Sequence, residues 1–392
     1  MRMRVLFWLQ RLAALMAALC VFSGFAVGGS QPSYLITNDD AAFVSGVTFY
    51  TIGTTGLLKL KQEVSTSAAG IAGGYFPTNR VVVLDNSSEQ CVYASNAAVG
   101  NIVGIDINTL VAGGSASGST TDSGSANGIG LAVNGQYLYA SFTSSNTIGT
   151  FQVQSGCSLT FLSDISVAGL QGGFIDAMVV TGNTMVVTYG DGSIESFSVA
   201  SGAPVSNGDE QNSTGYVVSQ GSSYPTAVEI TKDGHFAIFG DTSTSTLVEV
   251  SDMSSGKLAK TTVFSLGHGI NSSNILLSPD ETLLYISNTQ GDAITAATFN
   301  ASTGALAAGC TSGRLKGYSV SWSYLSDLAL ATNTGTGGTI YVAEYGAPSS
   351  IGMVQVSSSG GQCTLQEVSS SPVSDPNSNG LLSITPFPPR AF

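Results

Sequence analysis

This sequence predicts an all-β fold, a seven-bladed β-propeller with four-stranded antiparallel blades, and three observations carry the prediction. A unit of strand, tight turn, strand, polar loop and strand recurs seven times at intervals of roughly fifty residues. Its third strand alternates apolar and polar residues with a period of two, as in Ile102-Val103-Gly104-Ile105-Asp106-Ile107, which marks a strand with a buried face. Its tight turns are Asn-Gly, Gly-Asn and Asp-Gly pairs, which accept the positive φ of hairpin turns. Four short strands per period make a propeller blade, and a blade cannot bury its faces without neighbours.

In chain order, the first segment is a leader. Arg2, Arg4 and Arg11 flank the apolar stretch Leu12 to Phe22, and Ala26-Val27-Gly28 supplies small residues for a cleavage site. The stretch is short for a membrane span. Residues 1–28 are therefore expected to leave as a signal peptide, with a retained anchor as the alternative. The propeller is expected over 29–386 and a short tail over 387–392. Second strands align at Tyr34 to Asn38, Val92 to Asn96, Leu138 to Ser141, Val186 to Tyr189, Ala237 to Gly240, Leu284 to Asn288 and Ile340 to Glu344. Turns precede several of them, at Asn134-Gly135, Gly182-Asn183, Asp233-Gly234 and Pro279-Asp280. Third strands follow at Ile102 to Ile107, Ile148 to Val153, Ile194 to Val199 and Ile351 to Val356, with looser copies ending at Phe49 and Phe299. The first unit has no inner strand ahead of Tyr34. Leu381 to Thr385 is expected to supply it, so that a C-terminal strand joins the first blade, closes the ring and covers two edges. Pro386, Pro388 and Pro389 are expected to stop that strand.

The chain holds 12 basic and 25 acidic residues, a net charge of −13, yet only 9% of its residues are charged. An acidic, charge-poor surface argues against nucleic acid and anionic lipid as partners. Cys20 falls in the leader, leaving Cys91, Cys157, Cys310 and Cys363. An even count in an exported chain implies two disulfides, with three connectivities open. The pairs Cys91–Cys157 and Cys310–Cys363 would join adjacent blades and are favoured. No CxxC pair and no Cys/His cluster is present, so no zinc is expected. The expected product is a periplasmic or extracellular monomer with no membrane attachment once the leader is cut.

Blade-level motifs add a resemblance. Ile275 to Asn288 contains Ser278-Pro279-Asp280 followed by Leu284-Tyr285-Ile286-Ser287-Asn288, and Ile230 to Phe239 and Leu131 to Ala140 are further copies. In these residues the chain resembles the lactonase-like seven-bladed propellers, the 6-phosphogluconolactonase-like or YVTN-repeat group, over nearly its whole length after the leader. The resemblance implies the propeller fold, and implies lactone hydrolysis by His, Glu and Arg side chains around the central channel. The motif itself encodes a blade and carries no chemistry. Beyond the leader the chain offers two histidines, Arg80, Arg314 and the tail Arg390, and no segment matches the family's catalytic residues one by one.

A propeller binds at a mouth of its channel, where blade-to-blade connections and the loops after second strands converge. The connections present His268, Arg80 and Asp176 as catalytic candidates, and Asn127, Tyr224, Asn271, Trp322, Tyr324 and Asp327 as binding candidates. His268, between glycines, is accessible and titrates near neutrality, as an acid/base group must; the bland alternative is a loop histidine bonded to backbone. Asp176 opens an inner strand, where its carboxylate either faces the channel or caps backbone N–H groups. Trp322 and Tyr324 either stack on a sugar ring or partner chain, or wedge blades apart. His235, directly after Asp233-Gly234, is expected to be a solvent-facing turn neighbour. Loop residues such as Asn38, Asp39, Asp191 and Glu344 are types that turns select, and as a ring of oxygens they could hold Ca²⁺ or Mg²⁺. No EF-hand spacing supports that, no phosphate loop or Gly-x-Ser-x-Gly elbow exists, and no cofactor or metal is expected. The preferred expectation is a non-catalytic exported propeller that binds a small ligand or a protein partner at the loop-rich mouth. Lactone hydrolysis and a structural surface role through the outer strands are the alternatives.

Overall fold

The computed structural model describes residues 33–39, 45–68, 70, 79–117, 129–213, 225–241, 247–265, 272–288, 292–316, 324–332, 337–345, 349–359, 362–375, 380 and 383–389. These form seven antiparallel sheets, one per expected blade. Blade 1 runs Tyr34–Asn38, Gly46–Ile52 and Leu58–Ser65, and takes its inner strand, Ser383–Phe387, from the C-terminal end. Blade 2 is Val81–Asp85, Gln90–Asn96, Asn101–Asp106 and Val111–Ser117; blade 3 is Ile129–Asn134, Tyr137–Phe142, Thr147–Val153 and Leu159–Ser166. Blade 4 is Ile175–Thr181, Thr184–Tyr189 and Ser193–Ser198, edged by two short pieces, Val205–Ser206 and Gln211–Asn212. Blade 5 is Pro225–Ile230, Phe236–Asp241, Leu247–Asp252 and Thr262–Ser265. Blade 6 is Ser272–Leu277, Leu283–Asn288, Ala293–Asn300 and Ala305–Thr311. Blade 7 is Tyr324–Thr332, Gly337–Tyr345, Ser350–Ser359 and Gln362–Glu367, with Val373–Ser374 added. All seven second strands fall where their motif places them. Every inner strand contacts the inner strands of both neighbouring blades, which closes the ring.

The hairpins form for the reason their residues suggest. Gly135, Gly182 and Gly234 take φ of 60°, 57° and 72°, a region open to glycine at no steric cost. In the Pro279-Asp280 turn the positive φ falls on Glu281 instead, at 53°.

The core is not one mass but seven layers, one per seam between blades. Middle strands bury both faces, whereas the period-two pattern was expected to mark a single buried face. Tyr34 and Ile36 enter the seam with blade 2, while Leu35 between them enters the seam with blade 7. Alternate residues thus serve opposite neighbours.

The closing strand differs from expectation at its end. It runs through Pro386 to Phe387, with Pro386 opposite Leu35 and Phe387 opposite Tyr34, and Leu381 and Leu382 lie outside the described residues. An inner strand has a partner on one side only, so a residue without an N–H is tolerated there. The tail therefore begins one residue later than expected. Ile384 fills the seam with blade 7 and Phe387 the seam with blade 2, where its ring lies 6.4 Å from that of Tyr34. One strand fastens two seams.

Both favoured disulfides are present. Cys91–Cys157 ties the second strand of blade 2 to the turn before the outer strand of blade 3, and Cys310–Cys363 ties the outer strands of blades 6 and 7. Around the first bridge the approach is close enough to require glycine: a Cβ on Gly104 would lie 1.9 Å from the Cys157 carbonyl oxygen.

Two outcomes follow from this packing. Ile384→Ala should destabilise by about 3 kcal/mol and Phe387→Ala by about 4 kcal/mol in urea titration, as for deletion of fully packed apolar groups. The bridges close loops of 66 and 53 residues, so chain entropy gives each roughly 4 kcal/mol. Cys91 and Cys157 are fully buried while Cys310 and Cys363 are half-buried. Graded thiol reductant should therefore open Cys310–Cys363 first, read by alkylation and mass spectrometry.

Candidate functional site: the central channel and its polar girdle

At the start of the inner strands the ladder bulges in blades 4, 5, 6 and 7. A bulge re-aims side chains, and two of the bulged strands carry Asn274 and Asp327. The Asp327 carboxylate is the hub. Its Oδ1 accepts from Asn274 Nδ2 at 2.7 Å and from Leu328 N at 2.8 Å. Its Oδ2 accepts from Ser383 Oγ and from Ile384 N, both at 2.9 Å. Ser383 Oγ in turn accepts from Arg80 N at 3.0 Å, and Arg80 O accepts from Asn38 Nδ2 at 3.2 Å and from Ser95 N at 3.0 Å. The chain of bonds passes through blades 6, 7, 1 and 2 without a break. It is a girdle.

Two residues singled out by sequence, Arg80 and Asp327, join through Ser383 in this girdle, and a third, Asp176, stands at the start of the inner strand of blade 4. Arg80 is 1% exposed, and its backbone is part of the girdle. Asp327 is likewise buried, as the fastening of blade 6 to blades 7 and 1. Asp176 is fully buried, and neither of its carboxyl oxygens has a hydrogen-bond partner among the described residues. Burial, and then the charge of Asp191, push its carboxyl well above the usual range. Asp191 goes the other way. Partial burial opposes ionisation, but donors from Ser193 Oγ (2.6 Å), Gln171 N (2.7 Å), Gly173 N (3.0 Å) and Ser193 N (3.0 Å) hold its carboxyl low.

His268, Asn127, Tyr224, Asn271 and Trp322 lie outside the described residues, and Tyr324 opens the inner strand of blade 7. His235 sits beside its hairpin turn as expected, with its ring stacked on Phe236 at 4.3 Å and Nε2 3.5 Å from Asp252.

Beyond the girdle the inner strands enclose a channel of about 420 Å³, which reaches from Asn79 to the turns at Asn134-Gly135 and Gly182. Its wall is chiefly aliphatic, with Val83, Leu131, Val180, Leu276, Leu330 and Ile384 representative. The charged residues of that wall are Glu229 and Asp85, and no Lys, Arg or His is among its described residues. Glu229 was not singled out by sequence, although a lone carboxylate in an apolar inner strand is a visible signal.

Burial raises several other carboxyls. Asp327 is pushed up to about 7 by desolvation, against the hydrogen bonds from Ile384, Ser383 and Leu328. Glu344 also reaches about 7, again through burial, although the Ser350 hydroxyl donates to it. Asp39 is raised by burial and then by Asp375; the Thr37 hydroxyl lies 2.8 Å from Asp39 Oδ1 and 3.4 Å from Asp375 Oδ2. Unfolded carboxyls titrate near 4, so between about pH 4 and pH 7 the native state keeps protons that the unfolded chain has lost. Stability from these groups is complete below that window and declines as pH rises through it. The urea midpoint should therefore be higher at pH 5 than at pH 8; the reverse order would mean that Asp327 and Glu344 are ionised in the native protein.

Comparison with known proteins bears on the fold. No family model and no curated protein matches the chain. Solved structures do. A provisionally assigned 6-phosphogluconolactonase from Bacteroides fragilis superposes with a TM-score of 0.67 at 14% identity, covering 92% of this chain and 99% of that one. A protein of unknown function from Desulfotomaculum acetoxidans gives 0.62 at 13% identity, over 90% of this chain and 98% of that one. The periplasmic gluconolactonase of Pseudomonas aeruginosa gives 0.52 at 15% identity, over 72% and 83%. At such identities the likeness is one of fold alone: this chain has the architecture of the lactonase-like seven-bladed propellers.

Proposed function

We propose that this chain is an exported propeller that binds a small ligand or a protein partner at its channel, with no catalytic step. The observation that carries the reading is the use made of the available charged groups. Asp327, with four donors on its two oxygens, serves to hold blades together, and Arg80 is buried beside it. What the channel offers beyond the girdle is an aliphatic cavity within the size range of ligand pockets. Export is supported by the leader pattern and by two disulfides, which persist in oxidising compartments.

One observation favours lactone hydrolysis as a second reading. Asp176 and Asp191 have carboxyls driven in opposite directions, the arrangement that separates an acid from a base. Two of the structural neighbours are named for lactonase activity. Against it, four hydrogen bonds occupy Asp191, which stabilises the carboxylate and weakens it as a base.

A panel of sugar lactones, with and without a 6-phosphate, decides between the two. The expected outcome is hydrolysis at the spontaneous rate. Turnover that disappears in Asp176→Asn, with the far-ultraviolet spectrum unchanged, would replace the binding reading with the hydrolytic one.

A further inference from the structure

We infer that a small phenol binds in a cleft between the hairpin turns of blades 4 and 5, a second site that does not depend on the channel. On this face successive turns are fastened together. Asn86 Nδ2 donates to Gly135 O at 3.2 Å, Asn134 Nδ2 to Gly182 O, and Lys232 N to Glu281 Oε1 at 2.6 Å. Those bonds join blade 2 to 3, 3 to 4 and 5 to 6. Among the described residues no hydrogen bond joins the turn at 181–184 to the turn at 231–235. Thr181 holds the place of Asn134 beside a two-residue turn and has no amide to give. A cleft of about 440 Å³ lies there instead.

The seams on either side show what this one lacks. The second strands of blades 3, 4 and 5 begin at Tyr137, Thr184 and Phe236. These positions match, because the carbonyls just before them, of Gln136, Asn183 and His235, accept from Val153 N, Val199 N and Met253 N of the third strand or its end. The Tyr137 ring lies against Gly202 of blade 4, where a Cβ would be 2.9 Å from Tyr137 Cζ. The Phe236 ring lies against Gly304 of blade 6, where a Cβ would be 2.8 Å from Phe236 Cε1. Gly256 of blade 5 holds the turn position of Gly202, since the two N–H groups donate to Met253 O and Val199 O. Yet a Cβ on Gly256 would meet nothing within 4 Å. Thr184 puts no ring there, so the cleft stands where both neighbouring seams hold an aromatic side chain.

The lining decides which ring fits. Met253, 3% exposed, is its buried side, and a thioether packs favourably on an aromatic ring. The His235 ring borders the cleft while stacked on Phe236 at 4.3 Å. Asp233 commits Oδ1 to Thr231 Oγ1 at 2.7 Å and His235 N at 2.9 Å, which leaves Oδ2 to accept from a ring hydroxyl. An anionic ring is disfavoured. Partial burial of Asp233 opposes its ionisation, but the bonds from Thr231 and His235 hold its carboxyl low. Asp252, 3.5 Å from His235 Nε2, is held low by Ser254. Two carboxylates thus stand by the cleft, and a neutral ring with a hydroxyl donor uses them.

The test is ligand-observed NMR titration of the full chain, leader removed, with p-cresol, toluene and 4-hydroxybenzoate. p-Cresol should bind at least about threefold more tightly than toluene, the gain from one hydrogen bond, and 4-hydroxybenzoate more weakly than p-cresol. Thr184→Tyr, which supplies the ring from the chain itself, should abolish p-cresol binding and raise the urea midpoint; Thr184→Leu, a smaller fill, should weaken binding in the same direction. Asp233→Asn keeps an acceptor for Thr231 and His235, and should bring p-cresol down to the level of toluene. Equal binding of p-cresol and toluene, or a preference unchanged in Asp233→Asn, overturns the phenol. Binding that survives both substitutions of Thr184 overturns the location and returns the ligand to the channel. Binding of none of the probes overturns the inference and leaves the channel reading as it stands.

Discussion

Everything in this molecule depends on the packing of sheet against sheet across seven seams. A four-stranded blade has two apolar faces and no means of covering either. Each seam supplies that cover, so no blade is independent of its neighbours, and the ring is stable only when the last seam is made. Ser383–Phe387 makes it, by adding five residues to a blade that begins some 350 positions earlier in the chain. The two disulfides act within this scheme rather than beside it. Each joins blades adjacent in sequence, and neither spans the closure.

Ring geometry also explains why charged residues cluster where they do. Inner strands converge on the axis, and at their starting ends the bulges leave backbone groups that need partners. Asp327 satisfies two N–H groups as well as two side chains from neighbouring blades, which is more than a turn residue normally does. The same convergence creates an enclosed aliphatic space. One set of constraints therefore yields a fastening and a cavity, and the two are separated by no more than two or three residues along the inner strands of blades 6, 7, 1 and 2.

The fold was largely legible because its signals are local and repeated seven times. Asn134-Gly135 and Ile102 to Ile107 each identify an element without reference to distant residues. What was not legible depends on contacts between segments far apart. The bond between Arg80 and Ser383 spans 303 positions, and nothing in either neighbourhood announces it. Pro386 looked like a terminator because a proline in a central strand would be one; only the one-sided pairing of an inner strand makes it harmless. Glu229 is a different case. It stands one residue ahead of the blade 5 motif copy at Ile230 to Phe239, as the one charged residue of Pro225–Ile230.

The origin of the closing strand has a consequence for biogenesis. A chain made from its N-terminus holds six complete sheets and one three-stranded remnant before residues 383–387 arrive. Until then Tyr34–Asn38 presents an unpaired ladder to the surrounding compartment, flanked by the open apolar layers on either side. Folding of this chain thus includes an interval in which six sheets and an open edge resemble an aggregation template, and the arrival of the last strand ends that hazard.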